Sequence, residues 1–164
     1  MIKRMVVGVD GSEGACRALR WAIGLARDEG AEVIAVYALS PVEDLAWGAS
    51  NAVSAGLRFS SRAERSWRDE LRRELEDDWC AELRAAGVPF RTMIEKASAP
   101  AGLMAVADRE DADLIVVGAH GHGGFEDRVL GNVSYKVSHR AHQPVLIVPP
   151  EAGLASASVG STPP

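Results

Sequence analysis

The stretch Gly118-Ala119-His120-Gly121-His122-Gly123-Gly124-Phe125-Glu126-Asp127-Arg128-Val129-Leu130-Gly131-Asn132-Val133-Ser134 leaves an apolar run, passes several glycines and enters a helical pattern. Glycine lets backbone N–H groups approach an anion with no Cβ in the way. A helix starting near Gly131 adds unpaired N–H groups and the positive end of its dipole. These are the means of holding a phosphate. Gly131 is expected where the chain enters the helix, with its N–H directed at the ligand. Two common phosphate cradles are excluded. A Walker loop needs G-x-x-x-x-G-K followed by Ser or Thr, and this stretch has no such Lys. A dinucleotide fingerprint needs G-x-G-x-x-G, and counted from Gly121 and Gly123 the third place is Glu126.

Asp10-Gly11-Ser12 follows another apolar run. It is either a turn with a helix cap or a ligand contact, and the residues alone leave both open. The second Asp of a D-x-D phosphotransferase start is missing, because Ser12 stands there. His120 and His122 sit in the glycine stretch, His139 and His142 near a helix end, without the spacing of metal ligands. No metal centre is expected, and the histidines read as surface or phosphate-facing groups. Arg128 is the one cation of the glycine stretch, so neither a general base nor a Lys–Arg phosphoryl clamp is visible. No catalytic residue is assigned, and at most slow hydrolysis of a bound nucleotide is expected. Cys16 and Cys80 lack C-x-x-C spacing and read as packing residues, which suits a reducing cytosol.

The elements that must position these groups alternate. Apolar segments predict strands at Met5–Val9, Glu32–Leu39, Phe90–Glu95, Leu114–Gly118 and Val145–Val148. Leu114–Val117 and Val145–Val148 are continuous apolar runs, as in strands covered on both faces. After Ser12, a credible N-cap, Ala15, Ala18, Leu19, Ala22, Ile23 and Ala26 share one helical face, and Gly30 ends it. Ser61 to Ala86 predicts one long charged helix with Ala63, Trp67, Leu71 and Leu75 four residues apart. Further helices are predicted from Ser98 through Asp108, and from Gly131 to just before Pro144. Five alternations predict an α/β fold: an open, five-stranded, mostly parallel, Rossmann-like sheet with helices on both faces. Right-handed crossovers with one reversal give the order 3-2-1-4-5. In that order the strands before Asp10 and Gly118 are neighbours at the switch point, where ligands bind.

With these residues in view, the chain resembles the ATP-binding universal stress proteins. Their loop runs G, two residues, G, nine residues, G, then Ser or Thr. Gly118, Gly121 and Gly131 match at full spacing, and Asn132 departs at the last place. Met5 to Ser12, Ala112 to Gly118 and Gln143 to Pro149 look like the family's first, fourth and last strands, so the similarity spans nearly the whole domain. Ser98 stands about where the family often has Gly. The resemblance implies Asp10 near ribose or phosphate and the Ala38 backbone near an adenine. It implies phosphates against Gly121, Gly131, Asn132, Val133 and Ser134, with Val9, Gly118, His120 and His122 completing the contacts. The implied ligand is ATP, with or without Mg2+, or else AMP or cyclic AMP. The implied role is a stress-response regulatory protein. A protein-interaction module without nucleotide is the alternative, and an enzyme of a related nucleotide-binding fold a further one. The resemblance also implies a homodimer through antiparallel pairing of Val145 to Val148.

Composition bounds the rest. The chain has 164 residues, 47% hydrophobic and 25% charged, enough for one domain core without a metal or disulfide. The domain is expected over residues 1–150, with a small, polar, disordered tail at 151–164. Pro41 to Ser60 has little pattern and is expected to be a loop over the ligand side. The net charge of −5 argues against nucleic acid, which needs a basic stripe. The apolar run after Met1 is too short for a signal peptide or a membrane span, so no membrane and a cytoplasmic location are expected.

Overall fold

The computed structural model describes residues 1–40, 68–121 and 130–150. Their strands are β1 (Arg4–Gly8), β2 (Glu32–Ala38), β3 (Phe90–Glu95), β4 (Leu114–Gly118) and β5 (Val145–Val148). Every pairing is parallel, in the order β3-β2-β1-β4-β5. The predicted order therefore holds, and the sheet is wholly parallel. Val6 sits opposite Ile34 on one side and Ile115 on the other, so β1 is the central strand.

The helices are α1 (Glu13–Glu29), α2 (Ala81–Ala86), α3 (Ala99–Arg109) and α4 (Asn132–Arg140). Side chains alternate across the sheet and feed two cores. Met5, Val7, Val33 and Ala35 pack with α1 residues Ala18, Leu19 and Ala22, and with Leu75, Cys80 and Leu83. Val6, Ile34, Val36 and Ile115 pack with Leu103, Val106 and Ala107 of α3 and Val137 of α4. Helices thus cover both faces, and the continuous apolar runs are the consequence.

One element departs from expectation. The predicted unbroken helix from Ser61 to Ala86 is described only from residue 68. Residues 68–73 are α-helical, Glu74–Trp79 form a π-helical turn, and the chain turns at Cys80 before α2. The Cys80 N–H reaches back five residues to the Leu75 carbonyl at 3.0 Å. An apolar stripe at strict four-residue spacing drifts about 40° per step on an α-helix. A turn holding more residues re-registers it, so that Leu75 and Cys80, both fully buried, can anchor the same core.

Candidate functional site

The site lies where β1 and β4 end. From these neighbours one chain leaves toward α1 and the other toward α4, on opposite faces, and a crevice opens between. On the β1 side the Ser12 N–H donates to Asp10 Oδ1 at 2.9 Å. Ser12 then caps α1, its Oγ accepting the Ala15 N–H at 3.2 Å. Such a cap stabilises a helix by about 1 kcal/mol. Asp10-Gly11-Ser12 is therefore a turn and cap, and Asp10 also lines the crevice.

On the β4 side glycine spacing answers to backbone approach. A Cβ on Gly118 would lie 2.6 Å from the carbonyl group of Gly14 in α1, and one on Gly14 would lie 2.0 Å from the His120 carbonyl oxygen. The first turn of α1 thus seats directly on the strand end. A Cβ on Gly121 would lie 2.6 Å from Asp10 Oδ2, so the two loops meet across the crevice at that pair. Gly14 carries no motif and was not singled out from the sequence. Only the fold brings it against β4.

Gly131 stands at the N-cap of α4, where it was expected. Its N–H, expected to face phosphate, donates instead to the Ala119 carbonyl at 2.8 Å. Ser134, almost fully buried, turns its hydroxyl to the same oxygen at 2.8 Å, with the Gly131 carbonyl 3.0 Å away. These contacts latch the strand end to the helix and commit both groups to protein. The donors left for an anion are the first-turn N–H groups of α4, which have no preceding helical carbonyl. Asn132 and Val133 of that turn line the cavity.

The crevice has two connected parts. An inner cleft of about 90 Å3 is lined by Val9, Asp10, Ala38, Gly118, His120, Gly121 and Val133, among others. An outer cavity of about 720 Å3 shares Asp10, Ala38 and Val133 and adds Asn132, Ser98, Leu71, Trp79 and Lys136, with Glu70 and Glu74 on its wall. Of the predicted contacts, Val9, Asp10, Ala38, Gly118, His120, Gly121, Asn132 and Val133 are thus brought together. Gly131 and Ser134 stand behind them as supports, and His122 lies outside the described residues, as does Arg128. Missed from the sequence were Tyr37, Trp79 and Lys136. Lys136 is half-buried and makes no hydrogen bond or ion pair among the described residues. Its position four residues after Asn132 on one helical face was the signal that could have found it.

Comparison with known proteins now bears on this geometry. The sequence matches the profile of the Universal stress protein family over residues 1–149. The chain belongs to the universal stress protein family. A universal stress protein of Methanocaldococcus jannaschii is 30% identical over 156 residues, covering 90% of this chain and 82% of that protein. Among solved structures, a universal stress protein in complex with cAMP is 28% identical with a TM-score of 0.59, covering 90% of this chain and 96% of that one. UspA from Lactobacillus plantarum shares the fold at a TM-score of 0.64 and 20% identity, covering 90% and 97%. Among the described residues no helix is long and apolar enough to cross a membrane.

Proposed function

We propose that this universal stress protein binds an adenine nucleotide, ATP foremost, in the crevice between β1 and β4, and works as a cytoplasmic homodimeric regulator of a stress response. One observation carries the reading. The end of β2 at Ala38, the Asp10 carboxylate and the open first turn of α4 line one continuous cavity. Its volume and its chemistry suit a nucleotide: a strand end for the base, a carboxylate for ribose hydroxyls, and N–H donors for phosphates. Magnesium would travel with the phosphates, because a nucleotide-bound Mg2+ needs only one or two protein carboxylates. Among the described residues no group of three or more His, Cys, Asp or Glu is placed to hold a metal by itself. The first-turn donors bind phosphate without activating water, so turnover is slow at most.

Cyclic AMP is the second reading, favoured by the relative solved in complex with cAMP. Mass spectrometry of ligand released by denaturing freshly purified protein tests both, followed by calorimetric titration with ATP, ADP, AMP and cyclic AMP, with and without magnesium. ATP is expected to bind tightest. Tighter binding of cyclic AMP would transfer the assignment to it. Failure of all of them at millimolar concentration, with no copurified ligand, would replace the nucleotide reading by a protein-interaction module.

A further inference from the structure

Trp79 closes the π turn Glu74–Trp79, and three parts of the fold converge on its ring. Leu75 and Cys80, fully buried on either side, fix the backbone that carries it. Gly11 has φ +76°, and a Cβ there would lie 2.9 Å from the indole Nε1 and Cε2, so the ring rests on the turn beside Asp10. Tyr37, next to Ala38 on β2, meets the indole edge to face, with centroids 5.4 Å apart and planes at 60°. The indole is half-buried, and both aromatic side chains line the outer cavity with Asp10, Ala38 and Ser98. Held on two sides, the indole offers the cavity a wall that costs little entropy to order further.

We propose that Trp79, braced by Gly11 and Tyr37, is a specificity-determining residue: the aromatic wall against which the planar base of the nucleotide lies. This rests on the nucleotide reading of the crevice and says what the cavity selects. A heteroaromatic base gains from stacking on an indole, whereas a base-free polyphosphate gains nothing there. Ala38, next to Tyr37 on β2, lines the same cavity.

The test compares ATP with inorganic triphosphate on wild type, Trp79→Ala and Trp79→Phe, by calorimetry, with circular dichroism as the folding control. Trp79→Ala is expected to weaken ATP about tenfold or more while leaving inorganic triphosphate unchanged. Trp79→Phe, which keeps a ring, is expected to retain ATP within about threefold. The change in tryptophan emission on adding ATP should vanish in Trp79→Phe, and inorganic triphosphate should cause none in wild type. Equal loss of both probes in Trp79→Ala would make Trp79 a mere support of the Asp10 turn and overturn the proposal. Undiminished ATP binding in Trp79→Ala, or an unaltered emission change in Trp79→Phe, would also overturn it. Wild type that binds no nucleotide brings down the crevice reading and this one with it, a pattern distinct from the others.

Discussion

Gly121 and Asp10 face each other so closely that one methyl group cannot be placed between them. A Cβ at 2.6 Å from Oδ2 must displace the carboxylate, and with it the bond to the Ser12 N–H at 2.9 Å. Gly121→Val is therefore expected to lower nucleotide affinity at least about tenfold, or 1.4 kcal/mol. Gly131 acts differently. Its φ of −71° is open to any residue, so space rather than backbone conformation reserves the position for glycine. A Cβ would lie 3.0 Å from the Ala119 oxygen, which already accepts the Gly131 N–H and the Ser134 hydroxyl. Gly131→Val should thus lower both affinity and stability, and calorimetry beside urea denaturation separates the two. Ser134→Ala should cost only about 1 kcal/mol in urea denaturation, because the Ala119 oxygen keeps its other donor. Asn132→Ser should keep or improve binding in the same titrations, since the shorter side chain leaves the first-turn N–H groups in place.

At the scale of elements, the sheet was legible and the crevice half so. β3, β4 and β5 end where their apolar runs end, and β1 and β2 differ from expectation by one residue at their boundaries. Burial on both faces wrote these strands into composition. The π turn was not legible, because Ala63, Trp67, Leu71 and Leu75 present a pattern that an unbroken helix also satisfies. Trp79, four residues after Leu75, would only extend that stripe on an unbroken helix, whereas the turn brings it against Gly11 and Tyr37. The glycine spacing of the β4 loop was legible because close approach restricts residue type. Gly14 and Lys136 were not, because their significance arises only when α1 and α4 dock. The strand ends also carry an acid-sensitive seam. Asp113 accepts the N–H groups of Lys3 at 2.6 Å and Arg4 at 3.0 Å, and these hold its carboxyl below the usual range. Arg91 bridges Glu32 of β2 and Glu110 beyond α3, and its guanidinium holds the Glu110 carboxyl low. A carboxyl whose folded pKa is depressed stabilises the fold fully above its unfolded pKa and loses that contribution as pH falls through the folded value. The double variant Asp113→Asn with Glu110→Gln should therefore be less stable near pH 7 and converge on wild type as pH falls below the ordinary carboxylate range. Urea midpoints across that range measure it, and parallel curves for the two proteins would contradict it.

The whole molecule has two sheet edges of unlike character. β3 carries Arg91 and Glu95, each tied into ion pairs, and such charges resist pairing with another strand. β5 is four residues, Val145–Val148, with no charge, and its first three residues are only partly covered. The Ile115 and Ala119 N–H groups donate to the Pro144 and Val148 carbonyls, at 3.0 and 2.8 Å. Backbone groups alternate in direction along a strand, so the N–H and C=O of Val145 and Ile147 point away from β4. A second copy related by a two-fold axis would meet those groups antiparallel and bury the uncovered side chains. We expect a homodimer at micromolar concentration in light scattering. Ile147→Pro removes one outward N–H while leaving the β4 ladder intact, a substitution tolerated on edge strands. It should yield a folded protein of monomer mass that still binds nucleotide, because the crevice is built within one chain. A wild-type monomer whose mass does not change with concentration would sink the dimer. A dimer that survives Ile147→Pro would move the interface to another face of the molecule.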